Sequence, residues 1–201
     1  MYRVSVEAGS SAQPWRFAVL LVSMSVFASA AEIAGITLHE RTKLGASELV
    51  LNGAGLRKKL FFKVYVAGLY LTEKRKSQTE VVALVGPKRA SITLLRNVPA
   101  KELVDALVDG IRHNSSPDQQ RALKGRVDQL AANLLSLRQG KKGDVITVDW
   151  LPAQGTVVTL NGEVKGKSIP GYDVYVALLR VWLGDHPTST GLKKALLGQK
   201  D

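Results

Sequence analysis

Cysteine is absent from the 201-residue chain, which excludes disulfides, thiolate metal sites and thiol nucleophiles together. Histidine is nearly as scarce. His39, His113 and His186 stand far apart, with no carboxylates at ligand spacing, so neither a metal centre nor a cofactor is expected. No Gly-x-Ser-x-Gly elbow is present, and nothing in the order of Ser, His and Asp points to hydrolysis. Acidic residues are few beside basic ones, 17 against 28, for a formal net charge of +11. Extended apolar runs are also missing. The one at residues 17–27 has eleven residues, well short of the roughly 20 needed to cross a ~30 Å hydrocarbon core. Disordered and collagen-like compositions are excluded by a hydrophobic content of 45% and a charged content of 22%, a globular balance for one domain with a sizeable core.

The N-terminus has the three parts of a secretory signal. Arg3 and Arg16 precede the apolar run, and the small residues Ala28, Ser29, Ala30 and Ala31 follow it as a cleavage site. Residues 1–31 are therefore expected to be a signal peptide and 32–201 a single domain, placed in the periplasm or secreted. The charge belongs to that domain, since the leader carries only Arg3 and Arg16 against Glu7. Export argues against nucleic acid as a partner, and no basic segment is interleaved with aromatics as strand-binding platforms require. Loose contact with an anionic membrane surface is compatible with the charge.

Short strands are expected at 33–38 and 48–51, and a long central strand at 61–71, FFKVYVAGLYL, which is aromatic, β-branched and free of proline. A short helix at 79–85, capped by Thr79, and a strand at 90–95 follow. Two helices are expected next, at 100–113 and from Asn114-Ser115-Ser116-Pro117 to Leu137. The first places Leu103, Ala106, Leu107 and Ile111 on one face. The second sets a stripe of Leu123, Val127, Leu130 and Leu134 against a face bearing Arg121, Lys124, Arg126 and Arg138. Strands return at 144–151, 156–160 and 163–169, the last two joined by the hairpin signal Asn161-Gly162. Helices at 171–183 and 192–197 close the chain. Strands, helices, antiparallel hairpins and helices in that order imply an α+β fold with helices packed on one face of an antiparallel sheet.

Gly53-Ala54-Gly55 followed by Leu56-Arg57-Lys58-Lys59 lacks the ending of a phosphate loop and the third glycine of a dinucleotide fingerprint. A tight turn between two strands is the expected role.

Read with the strand after it, LNGAGLRKKLFFKVYVAGLYL resembles the N-terminal hallmark of the chalcone isomerase-like proteins, particularly their exported bacterial branch. The resemblance continues through SITLLRNVPAKELVDAL and GKSIPGYDVYVALLRVWLGDHP, and so covers essentially residues 32–197. It implies an open-faced antiparallel sheet covered by helices. Plant members cyclise a chalcone to a flavanone, and their catalytic arginine follows the Gly-x-Gly turn, where Arg57 stands. The catalytic branch has a threonine where this chain has Tyr65. Its helical tyrosine and asparagine fall on Leu103 and Gly110 in a gapless alignment. That polar set is not reproduced here. A second branch binds fatty acids through the arginine and a tyrosine.

For this chain the resemblance implies a small apolar carboxylate, such as a fatty acid, held by Arg57 with Tyr65 or Tyr70 as hydroxyl partner and Arg96 near the cleft mouth. The alternative is an isomerase, an intramolecular lyase acting on an enone-like substrate with Arg57 as the electrophilic group. Strict alternation puts Tyr65 and Tyr70 on opposite faces unless a bulge intervenes, and Gly68 is the candidate bulge. Residue types alone are equally compatible with both tyrosines as sheet packing and Arg57 as a solvated turn residue.

Overall fold

The computed structural model describes residues 30–199 together with Met1, so the signal segment expected at 1–31 lies almost entirely outside the described residues. Eleven strands and five helices are described. A small hairpin of β1 (Ala30–Ile33) and β2 (Ile36–His39) turns at Ala34-Gly35, in place of the single strand expected at 33–38. Next come β3 (Arg41–Leu44), the long β4 (Ser47–Lys59), β5 (Phe62–Leu71), α1 (Gln78–Ala83) and β6 (Lys88–Leu94). The two-residue β7 (Val98–Pro99) leads into α2 (Ala100–His113) and α3 (Pro117–Leu135). Then β8 (Gln139–Gly140) pairs back on β7, and β9 (Val145–Leu151), β10 (Gly155–Leu160) and β11 (Glu163–Ile169) form a meander. Helices α4 (Tyr172–Leu183) and α5 (Thr190–Leu196) end the chain.

Seven strands form one sheet in the order β11-β10-β9-β6-β5-β4-β3, every neighbouring pair antiparallel. The fold is the α+β arrangement implied by the element order. On one face, Ala67, Leu69, Leu94, Ile146 and Val148 bury against Leu107, Ile111, Leu130 and Leu134 of α2 and α3 and against the almost wholly buried α4. The other face divides in two. Leu49, Leu51, Val66 and Tyr70 are covered by the β1–β2 hairpin through Leu38. Farther along, this face is polar. Arg89 holds Asp149 through two hydrogen bonds of 2.8 and 2.7 Å, and Thr147 links Asp149 to Thr159.

Local signals explain many element boundaries. Ser116 caps α3 in a reciprocal arrangement with Gln119, and Pro117 occupies the first helical position, where no backbone donor is needed. Asn161 and Gly162 both adopt positive φ, as a two-residue hairpin loop of this hand requires. The cap of α1 is Ser77 with Glu80, two residues earlier than the expected Thr79.

Two expectations are corrected. Gly53 and Gly55 form no turn: they lie inside β4 because α5 crosses directly over it. A β-carbon at Gly53 would stand 2.1 Å from the Ala195 carbonyl oxygen, and one at Gly55 2.7 Å from the Ala195 β-carbon. The turn lies later, at Leu60-Phe61, so the strand expected at 61–71 begins at Phe62, and Phe61 is 95% exposed.

Candidate functional site

Two irregularities in the pairing of β4 with β5 set the site. Leu51 pairs with Tyr70 but Gly53 with Leu69, which leaves Asn52 as an extra residue on β4. Its amide donates to the Leu196 carbonyl at 2.7 Å and its side-chain oxygen accepts from the Arg75 backbone at 2.6 Å, tying the end of α5 to the sheet. Farther along, Arg57 pairs with Tyr65 but Lys58 with Lys63, so Val64 is the extra residue on β5. The bulge therefore sits at Val64 and not at Gly68, which pairs regularly with Ala54 and Ser91. Gly68 has another role: a β-carbon there would press to 2.7 Å on Leu38, so its absence lets the covering hairpin close.

Directly opposed residues of an antiparallel pair project to the same face. Arg57 and Tyr65 thus stand side by side on the helix-covered face, with Val64 turned inward beside them. Tyr70 packs on the opposite face with Leu38, Leu51 and Val66, and the sheet separates it from Arg57. Of the two hydroxyl partners left open by the sequence, only Tyr65 reaches the cleft. Arg96 is engaged elsewhere: it donates to Glu102 at 2.7 Å and to the Asn97 carbonyl at 3.2 Å. It contacts the cleft only through Glu102, which it shares with Lys59 at 3.8 Å.

The cleft has an outer and an inner part. The outer part, about 490 Å³, is an open vestibule between β4–β5 and α2, with Arg57 and Lys59 on one side and Glu102, Asp105 and Asp109 on the other. Each of these carboxylates already has a cation: Glu102 has Arg96 and Lys59, Asp105 has Lys101, and Asp109 has Arg112. Behind it lies a cavity of about 80 Å³ walled by Ile92, Leu107, Leu134, Ile146, Val148, Leu178 and Val181. Tyr65, Leu103, Ala106 and Thr188 border both parts and form the neck between them.

The neck is where the polar groups gather. Tyr65 oxygen accepts a hydrogen bond from Trp182 Nε1 at 2.9 Å, which fixes the phenol and leaves its own proton to be donated. Burial pushes the Tyr65 pKa above its ordinary value and outweighs the opposing influence of Trp182, Arg57 and Thr188. The phenol is therefore protonated at neutral pH. Half-buried Arg57 donates to the Lys58 carbonyl and has no carboxylate partner among the described residues. Thr188 Oγ1 is buried and completes no hydrogen bond of normal geometry among the described residues. A guanidinium, a phenol and an unpaired hydroxyl thus converge at the mouth of an apolar cavity. Sequence reasoning had no means of finding Thr188, which lies alone in a Pro-Thr-Ser-Thr loop with no motif around it.

The positions aligned with the polar helical residues of the cyclising branch are apolar in place as well as in name. Leu103 forms part of the neck. Gly110 lets α2 pack on α4, since a β-carbon there would lie 2.6 Å from a Val181 methyl.

The sequence profile of the chalcone isomerase-like family matches residues 30–198, nearly the whole described chain. The chain belongs to the chalcone isomerase-like family. Among solved structures, a fatty-acid binding protein of Arabidopsis thaliana superposes with a TM-score of 0.63, covering 84% of this chain and 96% of that one. The two sequences are 12% identical, so the likeness is one of fold. No curated protein sequence matches the chain.

Another concavity, about 450 Å³, lies between α2 and α3 over Ile111, Leu123 and Val127. Its cations Arg112, Arg121 and Lys124 are paired with Asp109, Asp118 and Asp128 one turn away. They are thus already neutralised, in contrast to Arg57.

Proposed function

We propose that this chalcone isomerase-like domain binds a small apolar carboxylic acid, such as a fatty acid, with its carboxylate in the neck and its tail in the inner cavity. The observation that carries this reading is the convergence of Arg57, Tyr65 and Thr188 on one apolar opening, with the buried Thr188 hydroxyl lacking the partner that burial requires and Arg57 lacking a carboxylate among the described residues. A carboxylate supplies what is missing. One oxygen accepts from the guanidinium, whose forked donors match its geometry, and the other accepts from the Tyr65 and Thr188 hydroxyls. The tail leaves water for apolar walls, worth about 0.8 kcal/mol for each buried CH₂. The fatty-acid binding of the Arabidopsis relative of like fold agrees with this assignment.

Calorimetric titration with hexanoate and with its methyl ester tests it. The acid is expected to bind and the ester to bind far more weakly. Arg57→Ala should weaken the acid by 10- to 100-fold, the range of a charge-assisted hydrogen bond of about 1.5–3 kcal/mol. Equal binding of acid and ester, or an unchanged affinity in Arg57→Ala, would exclude the carboxylate role.

We also propose that the domain acts after export, on the strength of the charged, apolar and small-residue order of residues 1–31. N-terminal sequencing of protein recovered from the periplasm or medium should begin near Ala31 or Glu32. Recovery only of uncleaved cytoplasmic chain would remove this placement.

A further inference from the structure

The β4–β5 hairpin carries a feature that acid binding does not use. At its tip, Leu60, Phe61 and Phe62 are 84%, 95% and 66% exposed, three consecutive large apolar side chains projecting into solvent. The other large apolar side chains exposed within residues 30–199 are single and scattered: Val85, Val108, Leu135 and Val164. Isolated exposure of that kind is ordinary, whereas a cluster at a protruding turn marks a contact surface. The turn itself is costly to hold. Leu60 has φ of 54°, a left-handed conformation that glycine or asparagine adopts with less strain. Lys58, Lys59 and Lys63 flank the tip and are exposed, and neither Lys58 nor Lys63 is in an ion pair among the described residues.

We propose that this hairpin tip inserts into the interfacial region of a bilayer containing anionic phospholipid, with Leu60, Phe61 and Phe62 among the upper acyl chains and Lys58, Lys59 and Lys63 at the headgroups. Apolar side chains next to lysines are the composition of an interfacial anchor, in which buried apolar area and attraction to anionic lipid add. Geometry favours a bilayer over a protein partner. Leu60 and Phe61 are almost fully exposed, and a fluid medium covers such a turn without a preformed pocket. A stable protein interface needs on the order of 800 Å² from each partner, far more than three side chains supply. Lys59 also lines the outer cleft, so insertion would hold the vestibule at headgroup level, facing lipid. That consequence for ligand entry rests on the acid-binding reading; the insertion itself does not.

The chain from Ala30 onward, where the described fold and the family match begin, carrying Phe61→Trp and mixed with vesicles of equal parts phosphatidylglycerol and phosphatidylcholine, provides the test. The wild-type spectrum is subtracted to isolate the new indole. Its emission should shift to the blue and be quenched by brominated acyl chains. Leu60, Phe61 and Phe62 all changed to Ser should weaken vesicle pelleting on the order of 100-fold, as loss of the inserted apolar area requires. Lys58→Gln and Lys63→Gln should each weaken it about fivefold, the equivalent of ~1 kcal/mol for each cation near the surface. Residues 17–27 are absent from every variant, so pelleting reads the domain and the tryptophan reads the tip alone. An emission unmoved by vesicles overturns the proposal, as does a triple serine variant that pellets like wild type. Self-association that the triple serine change abolishes, unaffected by vesicles, assigns the tip to a protein contact and also overturns it. Hexanoate binding in the absence of vesicles is measured in parallel. Its absence in the wild type would count against the acid-binding reading while leaving tip insertion to stand on the vesicle data.

Discussion

Leu107 offers the sharpest test of where the ligand tail goes. Its side chain is buried in the wall of the inner cavity but does not border the vestibule, so truncating it enlarges the tail site without touching the neck. The cavity of about 80 Å³ is roughly half the ~150 Å³ that accommodates benzene, so it takes about three methylene-sized groups. Affinity for straight-chain acids should therefore rise about fourfold per CH₂, the factor equivalent to ~0.8 kcal/mol, and level off once about three carbons are buried. Leu107→Ala removes three side-chain carbons and should move the levelling point outward by about two or three methylenes. The longer acids would then gain roughly 15- to 60-fold over wild type. The same change costs about 3 kcal/mol of stability as a large-to-small core substitution, or about 10 °C in Tm for a domain of this size. Calorimetric titration of both proteins with acids of increasing length reads the levelling points directly, at a temperature where both are folded. If wild type and Leu107→Ala level at the same length, or wild-type affinity climbs steadily into long acids, the tail does not occupy this cavity.

Two further predictions concern buried charge. Lys88 is 1% exposed, donates to the Leu84 and Gly86 carbonyls and lies 4.8 Å from the centre of the Tyr172 ring, and burial lowers its pKa to about 8 from 10.5. Because the folded value lies below the unfolded one, the unfolded chain binds more protons between them, and Lys88 adds stability as pH rises from about 8 toward 10.5. Lys88→Met keeps the stem and removes that gain, so the Tm difference between the two proteins should change steadily from about pH 8 to 10; a constant difference over that range would contradict the pKa shift. Asp149→Ala would strand the Arg89 guanidinium, which holds that carboxylate through two hydrogen bonds, and should cost about 3 kcal/mol in urea denaturation. A cost below about 1 kcal/mol would mean that water already screens the pair.

Where local chemistry decides the structure, the sequence was a sufficient guide. Helix α3 starts at the expected Ser116-Pro117 signal, and Asn161-Gly162 forms the expected loop, because capping and turn preferences act over a few residues. Gly53 and Gly55 were misread because the reason for them is α5, at the far end of the chain, pressing its backbone on β4. Phe61 falls in the turn and not in the strand expected at 61–71, because residue type cannot distinguish an aromatic that packs from one that projects. The turn there has no glycine or asparagine to betray it. The site was half legible. Arg57 and Tyr65 stood out, since resemblance to a family points to residues on one hairpin. Thr188 did not, because its only distinction is spatial. Tyr70 lies on the face opposite Tyr65 by the plain alternation of the strand, since no bulge falls between them.

The substitutions that separate this chain from the cyclising branch share one physical consequence. At Gly110 any side chain would drive into Val181, so a helical asparagine here would force α2 away from α4. At Leu103 an apolar side chain stands in the neck, where a phenol would otherwise add a donor. Neither position gives the α2 side of the neck and inner cavity a donor, and the donors stand instead on β4, β5 and the Thr188 loop, gathered at one end of the cavity. Stabilising an oxyanion along a reacting enone requires donors placed where charge develops in the transition state. A cavity with donors only at its mouth and hydrocarbon beyond matches a ligand polar at one end and apolar at the other. The same polarity extends outward along the hairpin, where the cations of β4 and β5 give way within two residues to Leu60 and Phe61. Cavity and tip thus present, from opposite directions, the sequence of charge followed by hydrocarbon that an amphiphilic acid and a lipid leaflet both possess.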